Sequence, residues 1–158
     1  MQRPKSNGAP TLIYVAAAAL RVADVTRIFK DKRLRSDKSG EVAKLFAKHF
    51  KLSHHIDYLK RTKVGAAIGT PGRLGKLLNE TGKIYLPIIH CRIVYSCMID
   101  TLNVSAVSHI ILDITHKDAK KRNLLEIPET RRETFETVLG NSKIFKGIKE
   151  GKIQVVFF

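Results

Sequence analysis

The sequence is poor in acidic residues and in long apolar runs. Its 158 residues contain 14 Asp and Glu against 29 Lys and Arg, so the formal net charge is +15. Such an excess of positive charge favours polyanionic partners, nucleic acid first and an anionic membrane surface second. No apolar stretch approaches the roughly 20 residues needed to span a bilayer, and we expect no membrane partner.

Cysteine is also scarce. The two cysteines, Cys91 and Cys97, lie in an apolar region without the further Cys or His ligands that a zinc site requires. We interpret them as reduced thiols of an intracellular protein. The histidines are scattered apart from His54 and His55. The sequence therefore predicts no metal and no other cofactor.

The order of apolar and amphipathic segments predicts one α/β domain over residues 11–158, after a flexible lead-in over residues 1–10. The predicted strands are Thr11–Ala17, Val64–Ile68, Val107–Asp113 and Lys152–Phe158. Helical segments between them favour a mostly parallel sheet with helices on both faces. Residues 86–103 fit neither helical nor strand periodicity, and we treat them as an atypical insert.

The first strand has an alternative interpretation. Basic residues followed by an apolar run and alanines resemble a secretory signal peptide. The segment after the strand, however, continues as a helix that places Val22, Val25 and Phe29 on one face. This continuity favours a buried strand followed by a helix.

Three further helices are predicted from apolar periodicity, over residues 41–50, 54–63 and 130–139. On the first of them, Lys44 and Lys48 lie on one face, and Lys51 follows on the same side. This basic face could meet either solvent or phosphate. In the last, Phe135, Val138 and Leu139 are expected to face the core, and Gly140 ends the helix.

The chain is organised around Val64–Leu74, where an apolar strand is followed by a turn and an amphipathic helix. Gly69 and Gly72 allow another group to approach the backbone closely. Thr70 can cap the helix, and Arg73 adds positive charge near the free N–H groups of its first turn. Ligands of open α/β sheets bind beyond the carboxyl ends of the strands. This turn is a candidate phosphate site, with an ordinary strand-to-helix turn as the alternative.

The sequence of this turn resembles the TPGR motif of DEAD-box RNA helicases, which holds the RNA backbone in the first RecA-like domain. Arg21 follows the first strand as the arginine of the helicase PTRELA motif does. Three cations before the central strand are expected as helpers near the same end of the sheet. The residues that the resemblance implies for RNA binding are Thr70, Gly72, Arg73 and Arg21, with Lys60, Arg61 and Lys63 as the helpers.

The same comparison argues against an enzyme. ATP hydrolysis needs a phosphate loop, G-x-x-x-x-G-K-[ST], and a carboxylate that orients water. The sequence has no such loop, and its nearest approach has Leu77 in place of the hydroxyl residue. The helicase DEAD motif aligns with Asp113-Ile114-Thr115-His116, which lacks the glutamate. We interpret Asp113 and His116 as remnants of a nucleotide site and predict no catalysis; an active helicase fragment would need the loop supplied elsewhere.

Three ordered stretches resemble a narrower family, the Cms-type proteins of the early small-subunit (90S) pre-ribosome. They are Lys44–Leu52, Val64–Leu78 and Ile111–Leu139. The resemblance implies a degenerate RecA-like domain without ATPase activity that works in the nucleolus on rRNA maturation. Its implied partners are pre-rRNA and small-subunit processome proteins, with no small-molecule substrate. A module that contacts only proteins of the same particle is the alternative.

Overall fold

A five-stranded, entirely parallel sheet forms the centre of the fold. The computed structural model describes residues 6–31, 33, 39–48, 50–79, 81–82 and 99–158. Its strands are β1 (Leu12–Val15), β2 (Glu41–Leu45), β3 (Val64–Gly69), β4 (Thr81–Gly82), β5 (Ile99–Asp100), β6 (His109–Leu112) and β7 (Gln154–Phe157). The sheet has the order β2-β3-β1-β6-β7, while β4 and β5 form a separate antiparallel pair. The predicted parallel sheet is confirmed.

Helices connect the strands and cover both faces of the sheet. They are α1 (Ala19–Phe29), α2 (Leu52–Arg61), α3 (Pro71–Asn79), α4 (Pro128–Arg132) and α5 (Ser142–Lys149), with a π-helix (Glu133–Leu139) that continues α4. None of the helices in the described ranges is long and apolar enough to cross a membrane.

The alternation of side chains along β1 divides the core into two layers. Ile13 and Val15 pack with α2, α3, the π-helix and α5 on one face. Tyr14 packs on the opposite face, where α1 contributes Val22 and Val25. The predicted inward face of α1 is confirmed at both valines, since both are buried.

The prediction of a helix over residues 41–50 is wrong, because Glu41–Leu45 forms the edge strand β2, parallel to β3. Ala43 and Leu45 pack in one core layer, and Val42 packs with Phe46 in the other. Val42 and Ala43 are adjacent and both buried, whereas Lys44 is exposed, so this short run has no simple strand alternation and cannot be distinguished from a helix by periodicity.

The prediction that Phe135 faces the core is also wrong, since this side chain is 48% exposed. Residues 133–139 form a π-helix, whose hydrogen bonds span five residues rather than four. Thr134 and Val138 are the inward residues of this segment, and both are fully buried. Val138 was predicted correctly, and the helical character of the segment is confirmed.

Two predicted features lie wholly or partly outside the described residues. Cys91 and Cys97 fall outside, as does the atypical insert as far as residue 98. At the other end of the chain, packing begins inside the predicted lead-in. The N–H of Gly8 donates to the carbonyl of Thr62 at 3.0 Å, and Gly8 and the two residues after it are buried.

Candidate functional site

The parallel sheet separates the predicted RNA-binding residues into two groups. Arg21 and Thr70 follow the carboxyl ends of β1 and β3, together with the residues that begin α3. Lys60, Arg61 and Lys63 precede β3 and therefore lie at the amino end of the sheet. The six residues of β3 span roughly 20 Å at about 3.3 Å per residue. The expectation that these three cations lie near the same sheet end is wrong.

At the carboxyl end, Asp113 is fully buried and bound by the chain's own groups. Arg21 Nε donates to Asp113 Oδ2 at 2.6 Å. Thr115 donates to Oδ1 from its hydroxyl at 2.7 Å and from its N–H at 3.1 Å, and the His116 N–H lies 3.3 Å from the same oxygen. Both carboxylate oxygens of this DEAD-like position are thus used in an internal network.

The network also shifts the pKa values of its members. Burial by itself raises the pKa of Asp113, but hydrogen bonds from Arg21 and Thr115 outweigh it and hold the pKa below its ordinary value. Burial, then the nearby carboxylate of Asp113, raises the pKa of Tyr14 to about 12. The Tyr14 hydroxyl is buried and makes no hydrogen bond among the described residues. Asp113 is ionised at neutral pH.

The turn before α3 is fixed by main-chain hydrogen bonds. The Thr70 N–H donates to the carbonyl of Leu45 at 3.0 Å, which ties the end of β3 to the end of β2. The Thr70 carbonyl accepts from the N–H groups of Arg73 and Leu74 at 3.1 and 3.0 Å. Thr70 itself is half-buried, at the position from which a ligand would meet the first turn of α3.

Gly72 faces a carboxylate of the same chain. A methyl group at Gly72 would lie 2.8 Å from both carboxylate oxygens of Glu133, the first residue of the π-helix. One helical turn later, a methyl group at Gly75 would overlap the hydroxyl of Thr137. Packing of the π-helix on α3 therefore requires glycine at Gly75, whereas a side chain at Gly72 would displace the carboxylate of Glu133. An RNA phosphate at Gly72 would occupy the place of the Glu133 carboxylate.

Arg73 points into the protein. It is 8% exposed, and its Nη2 donates to the carbonyl of Phe50 at 2.8 Å. This contact joins the start of α3 to the loop between β2 and α2. In the structure the arginine of the TPGR-like turn holds that loop.

An aromatic and basic cluster surrounds the loop held by Arg73, and sequence reasoning identified only its lysines. The Phe50 ring packs on the ring of His55, with centroids 5.4 Å apart, and edge-on against Phe46 at 5.9 Å. Lys44 Nζ lies 5.6 Å from the Phe46 centroid and 6.0 Å from that of Phe50. The misassigned helix hid this cluster, although the alternating Phe and Lys residues of 44–51 were visible in the sequence.

His55 is buried beneath Phe50. Burial, followed by the positive charges of Arg73 and His54, lowers the pKa of His55 to about 4. Its Nδ1 has no hydrogen-bond partner among the described residues. His55 is therefore neutral at physiological pH and acts as a packing residue.

A second basic segment follows β6 at the same end of the sheet. Asp118 accepts hydrogen bonds from the N–H groups of Lys120 and Arg122 at 2.8 and 2.9 Å, and its Oδ2 receives two from the Arg122 guanidinium. Within this turn Lys121 has φ +60°, a conformation that is uncommon outside glycine. The clamp leaves Lys117, Lys120 and Lys121 exposed to solvent.

At the amino end of the sheet, the predicted RNA-binding cations do not form internal contacts like those of Arg21 and Arg73. Arg61 and Lys63 are exposed and Lys60 is half-buried. Within the described ranges, none of these side chains makes a hydrogen bond or ion pair. The main chain here is closed by Glu41 N–H donating to Lys63 O at 2.8 Å. No group of three or more potential metal ligands occurs in the part of the chain that is described.

A parallel sheet with helices on both faces, and with its candidate site beyond the strand ends, defines an α/β domain of RecA-like type. The sequence also matches, over residues 1–100 and 90–158, the family described as CMS1, U3-containing 90S pre-ribosomal complex subunit. This match covers the whole chain, and the chain belongs to that family. The description names a subunit of a complex and no reaction.

Individual relatives agree with this assignment. Protein CMS1 of Chaetomium thermophilum is 38% identical over 129 residues, which are 82% of this chain and 43% of that protein. Protein cms1 of Schizosaccharomyces pombe is 30% identical over 152 residues, 96% of this chain and 46% of that protein. Human protein CMSS1 is 30% identical over 125 residues, which are 79% of this chain and 37% of that protein. The chain thus spans less than half the length of these relatives.

Proposed function

We propose that this chain acts as a non-catalytic scaffold in the early small-subunit (90S) pre-ribosome, where it binds pre-rRNA and neighbouring processome proteins and supports rRNA maturation. The site of action is the nucleus, in the nucleolus. Membership of a family described as a 90S pre-ribosomal subunit supports the particle. A net charge of +15 supports the RNA contact, because a strongly basic chain favours a polyanion such as RNA as its partner.

The observation that carries the RNA contact is the concentration of exposed cations at the carboxyl end of the sheet. Two loops bring them there, the loop between β2 and α2 and the clamped turn after β6. The exposed lysines are Lys48, Lys51, Lys117, Lys120 and Lys121. Phosphate contacts of this kind fix position without reading sequence, so binding is expected to tolerate sequence changes and to weaken steeply with salt.

The TPGR-like turn lies between these two loops in our proposal. Thr70 and Gly72 meet the RNA backbone, after the Glu133 carboxylate has moved away from Gly72. Arg21, whose side chain is 25% exposed, adds charge beside them. The buried positive charge of Arg73 attracts the RNA phosphate electrostatically without touching it. Lys60, Arg61 and Lys63 offer phosphate a separate surface at the amino end.

The absence of catalysis in this proposal follows from the state of the DEAD-like position. Asp113 is occupied by Arg21 and Thr115, and Ile114 stands where a carboxylate would orient water. Neither residue can hold magnesium or activate a nucleophile in this arrangement. In this proposal Asp113 and His116 are remnants of a nucleotide site, and Asp113 has a structural role.

The test is RNA binding by the full chain across a salt series, with two variants that each lose three positive charges. The variant Lys117→Ala/Lys120→Ala/Lys121→Ala should bind more weakly and lower the slope of log K against log salt by about two. The matched variant Lys60→Ala/Arg61→Ala/Lys63→Ala should lower affinity less. Equal losses from both would mean that the charge acts diffusely and would contradict a site at the carboxyl end.

A second candidate function is a structural module that contacts only proteins of the particle. The burial of Arg73 and the Glu133 carboxylate beside Gly72 favour it, because both residues are engaged within the chain. Under this alternative the wild-type protein shows no salt-dependent RNA binding.

A further inference from the structure

The exposed aromatic ring of Phe50 stands out on the edge of the sheet. It is 38% exposed, whereas its neighbour Phe46 is 8% exposed and forms part of the core. Phe50 lies in the loop after the edge strand β2, where no further strand of the described sheet covers it. A large ring is thus held at the surface, in contact with solvent.

The position of this ring is fixed by buried groups. His55 supports one side of the ring at a centroid distance of 5.4 Å and an interplanar angle of 31°. Beneath them, Arg73 Nη2 donates to the Phe50 carbonyl at 2.8 Å. This bond ties the main chain of the loop to the start of α3. A preorganised ring loses little conformational freedom on binding a ligand.

The surroundings of the ring are positively charged. Lys44 Nζ lies 6.0 Å from the Phe50 centroid, and Lys48 and Lys51 are exposed on either side of it in the chain. The sequence from Lys44 to Lys51 contains no acidic residue. The combination of a fixed aromatic face and flanking cations has the two parts of a site for a single nucleotide, a stacking surface and phosphate partners.

We propose that Phe50, with Lys44, Lys48 and Lys51, forms a stacking site for an unpaired base of single-stranded RNA. This inference rests on the proposed RNA contact and names the form of RNA that it takes. A base in a duplex is already stacked between its neighbours and cannot lie on the Phe50 ring. The site therefore selects a single-stranded segment without selecting its sequence.

The chain offers a matched control for this ring. Phe145 on α5 is 51% exposed and has Lys149 Nζ 4.7 Å from its centroid. It lies on a helix surface, without a second ring packed against it among the described residues. Exposure and one nearby lysine are common to both rings, whereas the supporting His55 and the Arg73 contact belong to Phe50 alone.

The test measures fluorescence anisotropy of a labelled oligouridine and of an RNA duplex of the same length, each titrated with the full chain. Phe50→Leu should weaken oligouridine binding about tenfold and leave duplex binding and the salt slope unchanged. Phe50→Tyr keeps the ring and should bind oligouridine as the wild type does. Phe145→Leu should bind both RNAs normally. Circular dichroism verifies the fold of each variant.

Three results would overturn the inference while leaving the proposed RNA contact intact. They are wild-type oligouridine affinity in Phe50→Leu, an equal loss in Phe145→Leu, and an equal loss of duplex binding. Stronger binding of a polyglutamate peptide than of oligouridine, lost in Phe50→Leu, would instead assign the cluster to an acidic protein segment. If the wild-type chain binds neither RNA, the proposed RNA contact fails as well.

Discussion

The two ends of the sheet use their charges differently. At the carboxyl end, Arg21, Arg73 and Asp113 are bonded within the chain, and Asp113 and Arg73 are buried. At the amino end, the side chains of Lys60, Arg61 and Lys63 have no bonded partner in the described residues, and only the main chain closes that end. The bonded charges at the carboxyl end contribute to stability, beside the exposed lysines of its loops, whereas these three cations at the amino end do not.

This contrast shows how a motif can keep its residues and change their use. In helicases the TPGR motif holds RNA, and the sequence alone predicts the same here. In the structure Arg73 holds a loop and Gly72 accommodates Glu133. Resemblance at the level of residues thus placed Thr70 and Arg73 at the end of β3 but did not determine what each side chain contacts.

The largest expected difference between the two ends is in stability. Asp113→Ala removes the acceptor for Arg21 and Thr115 and leaves a guanidinium without its partner. We expect the free energy of unfolding to fall by about 3 kcal/mol or more. Lys63→Ala at the amino end should leave it unchanged. Urea unfolding followed by circular dichroism measures both, and a similar loss in the two variants would remove the distinction.

Acid should act on the carboxyl end through His55. Its pKa of about 4 in the folded chain lies below the ordinary 6.5, so below pH 6.5 only the unfolded chain takes up this proton. Stability should therefore fall as pH drops, by about 2 kcal/mol between pH 8 and pH 5. The pKa of Asp113 is also lowered from 3.8, so its own contribution is lost only at more acidic pH.

His55→Leu tests this assignment, since it should remove most of the fall between pH 6.5 and pH 4. The same substitution at His109, exposed at the start of β6, should leave the fall in place. Urea midpoints measured across this pH range give the answer. An undiminished fall in His55→Leu would place the responsible proton elsewhere.

The smallest expected effect is on RNA affinity. Glu133→Gln removes the negative charge beside Gly72 and should strengthen RNA binding about threefold, the size expected for one partly exposed charge. Glu136→Gln on the same π-helix, where Glu136 is 68% exposed, is the control and should have less effect. Unchanged affinity in Glu133→Gln, measured at low salt, would argue that no phosphate approaches Gly72.

The sequence predicted the parts of the fold that carry a simple pattern. The buried β1 and β3, the inward face of α1 and the parallel sheet follow from apolar runs and from one amphipathic period. Strand β2 was missed because its adjacent residues Val42 and Ala43 are both buried, which breaks a simple strand alternation, and α5 received no prediction. The inward face of the 133–139 segment was assigned by α-helical spacing, which a π-helix does not follow.

The candidate site was predictable in place but not in detail. The carboxyl ends of parallel strands meet at one edge, which located Arg21, Thr70 and Asp113 correctly. The pairing of Arg21 with Asp113 joins residues 92 positions apart, and no local pattern encodes it. The position of Lys60, Arg61 and Lys63 was predicted wrongly because the direction of β3 was not applied to the residues that precede it.

The strand order has a consequence for synthesis of the chain. Thr11, next to β1, is hydrogen-bonded to Gly65 and to Ser108, which are 54 and 97 residues further along. At translation rates of about 5 to 20 residues per second, β1 leaves the ribosome roughly 5 to 20 seconds before its second neighbour is made. During that time the central strand of the finished sheet lacks at least one neighbour, and its unpaired backbone groups can pair with another chain.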